Sequence, residues 1–191
     1  MIIPFNGVSP RVHPTAFVAP TATLVGDVEV GPDASIWFGA VLRGDHPEHG
    51  IRIGARSSIQ DNCVLHVSAS GPTIVEDKVT VGHGATFESC RVRRGALIGM
   101  NAVLLHGVVI GEESLVAALS VVPDGMEVPP RCLVAGAPAT VRKRLEGGST
   151  AWIEGSAEHY VRLARTYRDQ GIGVPGTPGD GHVHGDEEGQ G

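Results

Sequence analysis

The sequence predicts an all-β solenoid of stacked parallel strands followed by one α-helix, and three observations carry that expectation. Bulky aliphatic residues recur every six positions, aromatic residues are scarce, and a helical spacing of apolar residues appears only after Ala137-Pro138. The aliphatic beat runs through Val12, Val18, Leu24, Val30, Ile36 and Leu42, then Ile53, Ile59 and Leu65, then Val75, Val81 and Phe87. After a one-residue slip it resumes at Val92, Ile98, Leu104, Ile110, Val116, Val122, Val128 and Val134. A period of six matches neither a helix, near 3.6, nor a single strand, at two. It matches a chain that coils with flat walls and corners, each aliphatic residue pointing inward over its equivalent one coil away, and fixed-period self-similarity is the signature of a solenoid. Three six-residue walls close a triangular coil of about 18 residues, rising by roughly the 4.8 Å that separates paired strands.

Composition agrees. Hydrophobic residues make up 41% of the 191, enough for a core, but aromatics only 4%, and a narrow aliphatic prism has little room for rings. Gly 27 and Pro 13 suit a chain that turns a corner every few residues. A net charge of −6 without a long basic run argues against nucleic acid as a partner. Cys63, Cys90 and Cys132 are odd in number and lack CxxC spacing, which reads as core packing in a reducing compartment. The first ten residues have neither the basic stretch nor the apolar run of a signal peptide. No segment approaches the roughly 20 apolar residues of a membrane helix, so a cytoplasmic location without a membrane partner is expected.

Four parts are expected: a lead-in over residues 1–11, the solenoid over 12–140, a helix packing on it over 141–170, and a disordered tail over 171–191. Residues 46–50 and 68–73 interrupt the beat and read as loops leaving a corner. Trp152, Ala157, Tyr160, Val161, Leu163, Ala164 and Tyr167 give the helix its apolar face, closed by Gly171. The tail is rich in Gly, Pro and acidic residues, and its His182 and His184 could bind a metal only weakly. Flat outer walls invite self-association, with Trp37 and Phe38 as candidates for that contact.

Polar groups concentrate in the middle coils: Arg43-Gly44-Asp45, Gln60-Asp61, His66, His83 and Glu88. If the loop at 68–73 replaces part of a wall, Phe87 stacks over Leu65. His66 and Glu88 then share one wall about 5 Å apart, with Arg43 one coil below. His83 belongs to the previous wall and reaches the other two only across an interface with a neighbouring copy. Two His and one Glu around an open position is a catalytic zinc arrangement. Each residue also has a plainer reading, as a solvated imidazole, a surface carboxylate or a structural ion pair.

V-L-R-G-D at 41–45, I-Q-D-x-x-V-L-H at 59–66, V-G-H at 81–83 and L-I-G-M at 97–100 resemble the gamma-class carbonic anhydrases and their close relatives. The six-residue pattern itself resembles that of left-handed parallel β-helix (hexapeptide-repeat) proteins, and the handedness comes from that resemblance. Together the likeness covers roughly residues 8–170. It implies a homotrimer whose metal, zinc with iron or cobalt as substitutes, lies between subunits on three histidines, two from one chain and one from the next. His66 and His83 match two of these, and the third position reads Glu88, in Ala85-Thr86-Phe87-Glu88-Ser89-Cys90.

The same resemblance implies that Arg43 and Asp45 form the pocket's ion pair and contact bicarbonate. It implies that Gln60 orients the water on the metal and that Asp61 pairs with an arginine at the subunit contact. Glutamate can ligate zinc, but a carboxylate lowers the net charge of the centre, so water held there becomes a weaker acid than at an all-His site. His46, directly after Asp45 with His49 nearby, is a candidate proton shuttle because imidazole titrates near neutrality, the plainer reading being a solvated loop histidine; His106 is a candidate for the pocket rim. The function that follows is reversible hydration of carbon dioxide to bicarbonate, lowered or altered by Glu88. The alternatives are a hexapeptide acyltransferase, which needs a coenzyme groove no residue marks, and a non-enzymatic small-molecule-binding or accessory protein with a degenerate site.

Overall fold

In the computed structural model, residues 1–173 are described, and they form a parallel β-solenoid of about seven coils with one helix against a side wall. The site wall stacks Ile2–Ile3, Thr23–Gly26, Val41–Gly44, Val64–His66, Thr86–Glu88, Val103–Leu104 and Val121–Val122. The charged wall runs from Arg11–Val12 to Glu127–Val128 and also has seven strands. The helix wall starts at Phe17–Val18, reaches Cys132–Gly136, and is closed by an eighth strand, Ala139–Arg144, which turns back antiparallel. Within the lead-in, Ile2 and Ile3 pair with Leu24 and Val25 and begin the site wall.

Every residue of the aliphatic series points into the prism, none more than 4% exposed. Across the site wall Leu42, Leu65, Phe87 and Leu104 stack in register. Each such side chain contributes about 1.5–3 kcal/mol on leaving water, so the column fixes which residues face each other. The smaller residues four positions on, such as Ala22, Ala40, Cys63, Ala85 and Ala102, are also buried and fill the corners between walls. On the charged wall the outward positions are laced by ion pairs, including Arg52 with Asp27 at 2.7 Å and with Glu29 at 3.2 Å.

The helix, Gly148–Asp169, lies on the helix wall. Ala157, Val161 and Ala164 are buried beneath it, and Tyr160 and Tyr167 reach an aromatic cluster with Trp37 at ring separations of 5.9 and 5.4 Å. Gly171, at φ +74°, ends it: its N–H donates to the Arg168 carbonyl at 2.9 Å, and that of Ile172 to the Tyr167 carbonyl at 3.0 Å. Trp37 and Phe38 are therefore not the self-association contact expected of them. Trp37 is buried, its Nε1–H donating to Ser35 and Ser58 hydroxyls at 3.0 and 2.9 Å, and Phe38 packs on Tyr167 at 5.8 Å. Both rings are covered by the chain's own helix, an intramolecular contact that carries no cost in association entropy. The side chain of Trp152 and the tail beyond residue 173, with His182 and His184, lie outside the described residues.

Close stacking makes some corners intolerant of any side chain. A Cβ on Gly99 would meet the Ala118 backbone nitrogen at 2.4 Å and the Ala117 carbonyl carbon at 2.7 Å. We expect Gly99→Ala to lower unfolding free energy by about 1–3 kcal/mol in denaturant titration, because the clash is with backbone. Cys63, Cys90 and Cys132 are all free and buried, and burial pushes the Cys63 and Cys90 thiols up to about 12. Reaction with a thiol reagent at pH 8 should be negligible for the native protein at these two positions and complete only after denaturation.

Candidate metal centre and its surroundings

Because the inward column is in register, the residue after each aliphatic one forms an outward column. On the site wall this column reads Ile3, Val25, Arg43, His66 and Glu88. His66 faces Arg43 on one side and Glu88 on the other, as the repeat spacing predicts. His66 Nε2 lies 3.2 Å from Asp45 Oδ1, and Nδ1 lies 3.6 Å from Glu88 Oε1. Asp45 Oδ2 in turn accepts from Arg43 Nη1 at 2.5 Å. Burial pushes the Asp45 carboxyl up, but the Arg43 hydrogen bond and charge, with smaller help from the backbone and His66, outweigh it and hold it below the usual carboxylate range.

His83 stands at the corner after Thr80–Val81, on the helix wall, and its side chain is 49% exposed. Its Nδ1 lies 2.8 Å from Asp61 Oδ2. Within the chain Asp61 therefore faces His83. Gln60 is buried beside His83, in a largely apolar recess of about 390 Å³ shared with Thr80, Met100 and, from the helix, Tyr160. Burial, and to a lesser degree the Asp61 charge, raises the Tyr160 phenol. His46 follows Asp45 out of the wall and stacks on His49, ring centroids 4.9 Å apart, at the edge of a cavity of about 450 Å³ that Asp45, Phe5 and Arg52 also line.

The donor chemistry suits a metal ion in two separate halves. A proton on His66 Nε2 donated to Asp45 leaves the Nδ1 lone pair on the Glu88 side, and a proton on His83 Nδ1 donated to Asp61 leaves Nε2 free. A carboxylate behind an imidazole is the usual support of a ligating histidine. Two ligands about 2.0–2.1 Å from a tetrahedral ion stand about 3.4 Å apart, close to the His66–Glu88 separation of 3.6 Å. Yet among the described residues of one chain no three His, Cys, Asp or Glu side chains form a group able to hold a metal. His66 and Glu88 come together on the site wall, and His83 does not join them.

Two groups were less legible. His106, read as a rim residue, lies with Nε2 3.2 Å from Glu88 Oε1 and Nδ1 3.3 Å from Asp124 Oδ1. Asp124 lies off the aliphatic beat and carries no motif, although it follows His106 by 18 positions, one full coil. That spacing was the available signal.

Residues 89–124 match the family described as bacterial transferase hexapeptide (six repeats). The chain is 42% identical over 160 residues to the carnitine operon protein CaiE of Salmonella agona, covering 84% of this chain and 80% of that one. The chain belongs to the hexapeptide-repeat family that includes CaiE. It is 39% identical to the mitochondrial gamma carbonic anhydrase 2 of Arabidopsis thaliana, over 85% of its own length but only 60% of the plant protein's. A hexapeptide transferase family protein of Anaplasma phagocytophilum has a similar structure, with a TM-score of 0.83, 38% identity, and coverage of 87% of this chain and 98% of that one. A hexapeptide-repeat acetyltransferase of Vibrio cholerae, solved with acetyl coenzyme A, is more distant at a TM-score of 0.51 and 28% identity over 62% of this chain and 71% of that one. Similar proteins thus carry both carbonic anhydrase and acetyltransferase names, so the scaffold alone does not choose between them.

His106 gives the metal-free chain a titration marker. The Glu88 hydrogen bond, partly opposed by desolvation and aided by Asp124, raises its pKa. A group raised on folding adds stability below its ordinary pKa and loses it as pH climbs through the raised value. NMR titration of the metal-free protein should show His106 with a midpoint above that of an unperturbed imidazole, and Glu88→Ala should bring it down.

Proposed function

We propose that this chain is a gamma carbonic anhydrase-like metalloenzyme that reversibly hydrates carbon dioxide, with zinc held between subunits of a homotrimer by His66 and Glu88 of one copy and His83 of the next. The observation that carries the reading is the Arg43–Asp45–His66–Glu88 array, with His66 backed by a carboxylate at 3.2 Å and facing a second at 3.6 Å. Self-association is supported by what flanks the two halves. Val64, beside His66, is 40% exposed, and at the corner of His83 Met100 and Leu119, whose N–H donates to the Met100 carbonyl at 2.9 Å, are 54% and 72% exposed. Apolar side chains of this size in open water next to both half-sites favour burying one surface on the other.

Bound zinc supplies a water acidified enough to act as nucleophile near neutral pH. The chain's own residues do the rest. Arg43, half-exposed beside the site, offers a guanidinium to the oxygens of bicarbonate, and Asp45 holds it in place while fixing the His66 ring. Gln60, buried beside His83, has an amide suited to orienting the attacking water. Asp61 fixes the His83 ring. His46, stacked on His49 beside Asp45, passes the released proton to solvent. The apolar recess next to Gln60 and His83 favours a small uncharged gas over water. Glu88 places a negative charge where an imidazole would be neutral, which weakens the acidification and slows turnover. A cytoplasmic location belongs to the same proposal; among the described residues no helix is long and apolar enough to cross a membrane.

Zinc analysis of the purified protein should give about one ion per chain, falling at least roughly tenfold in affinity for His66→Ala and Glu88→Ala. Equal, stoichiometric zinc in wild type and Glu88→Ala would remove Glu88 as a ligand, and a monodisperse monomer in sedimentation would remove the shared site. Glu88→His should raise kcat for hydration in a pH-drop assay. A rise in Tm with acetyl coenzyme A, and none with zinc, would favour the acyltransferase alternative instead.

A further inference from the structure

Glu88 is gripped from the side away from His66. His106, two residues past the strand Val103–Leu104, turns back across the coil boundary and brings Nε2 to 3.2 Å from Glu88 Oε1. Its own placement is tightly set. The His106 backbone N–H donates to Asp124 Oδ1 at 3.0 Å, its ring Nδ1 lies 3.3 Å from the same oxygen, and its carbonyl accepts from Gly125 N–H at 2.8 Å. The next residue, Gly107, donates to the Ser89 carbonyl at 2.8 Å, which ties the two corners together directly behind Glu88. A long carboxylate on an outward column would otherwise sample several rotamers, since nothing else in the described structure holds Oε1 except the His66 contact at 3.6 Å.

We propose that His106 is a positioning residue for Glu88, fixing its carboxylate beside His66 through a hydrogen bond from Nε2, with Asp124, which accepts from the His106 backbone N–H, as the anchor of that residue. Donation needs only a proton on Nε2, so the role does not depend on the charge of the ring. This rests on the metal reading above, and gives Glu88 the outer support that a carboxylate ligand needs and that Asp45 and Asp61 supply to the two histidines. His106 is 42% exposed at its side chain, and an exposed pair of this kind adds little to folding. Its effect therefore falls mainly on the metal affinity.

The test uses the full chain and cobalt(II) alone, its affinity measured by competition with a chromophoric chelator and its coordination by visible absorption. His106→Ala should weaken binding by about 10–100-fold with the spectrum of the bound ion preserved and Tm of the metal-free protein little changed. His106→Gln, whose amide N–H reaches a similar point, should recover part of the loss, and in a Glu88→Ala background His106→Ala should add nothing. The positioning role is overturned if His106→Ala binds within twofold of wild type, if the Gln variant is as weak as Ala, or if the loss persists without Glu88. It is also overturned if the spectrum changes as it would on losing a direct ligand. Wild type that binds cobalt while the His106 variants match it leaves the metal site standing and ends only this proposal; wild type that takes no cobalt ends both.

Discussion

The vertical stacking of inward aliphatic side chains is the constraint from which the rest of the molecule follows. Each coil must place its apolar residue over the one below, because a void or a slip of one residue would turn a buried Leu or Val to solvent and a polar neighbour into the core. With the inward column pinned, the outward residues have no freedom of register. Arg43, His66 and Glu88 are neighbours because Leu42, Leu65 and Phe87 are. The spacing of about 4.8 Å between strands then sets the range of side-chain separations, close enough for hydrogen bonds and for shared ligation.

That geometry explains why signs alternate along the site wall. Like charges one strand apart repel at short range, so a column of functional residues is stable only when cations and anions, or groups able to become either, take turns. Arg43, Asp45, His66, Glu88, His106 and Asp124 form such a sequence, each within 3.6 Å of the next. A carboxylate at position 88 is tolerable in this row because imidazoles flank it on both sides.

Much of this was legible because the code is strictly local. The six-residue beat identified the inward positions, and counting across the loop at 68–73 placed His66 opposite Glu88 while leaving His83 on another wall. The rest needed tertiary knowledge. Trp37 and Phe38 announce only that they point outward and are apolar; which surface covers them depends on where a helix more than a hundred residues later comes to lie. Residues 139–144, across the expected boundary at 140, form a strand because the open edge left by Cys132–Gly136 offers unpaired backbone groups to the next segment, whatever its side chains. His106 and Asp124 were hidden for a third reason. They stand at corners, where the direction of a side chain depends on backbone geometry that the repeat does not encode, and only their 18-residue separation hinted at contact.

A consequence for function follows from the division of the donors. A solenoid can bring residues together along a wall at almost no cost, since stacking is already made by the core. It cannot bring together residues on different walls, because the prism between them is filled and rigid. His66 with Glu88 and His83 with Asp61 are each assembled in the first way, with exposed apolar residues beside them. Joining the two halves requires a second copy, so on this reading a metal bound there and the contact between copies stabilise one another. Losing a ligand should loosen the assembly as well as the site, and a change that separates the copies should empty the site without touching any residue in it.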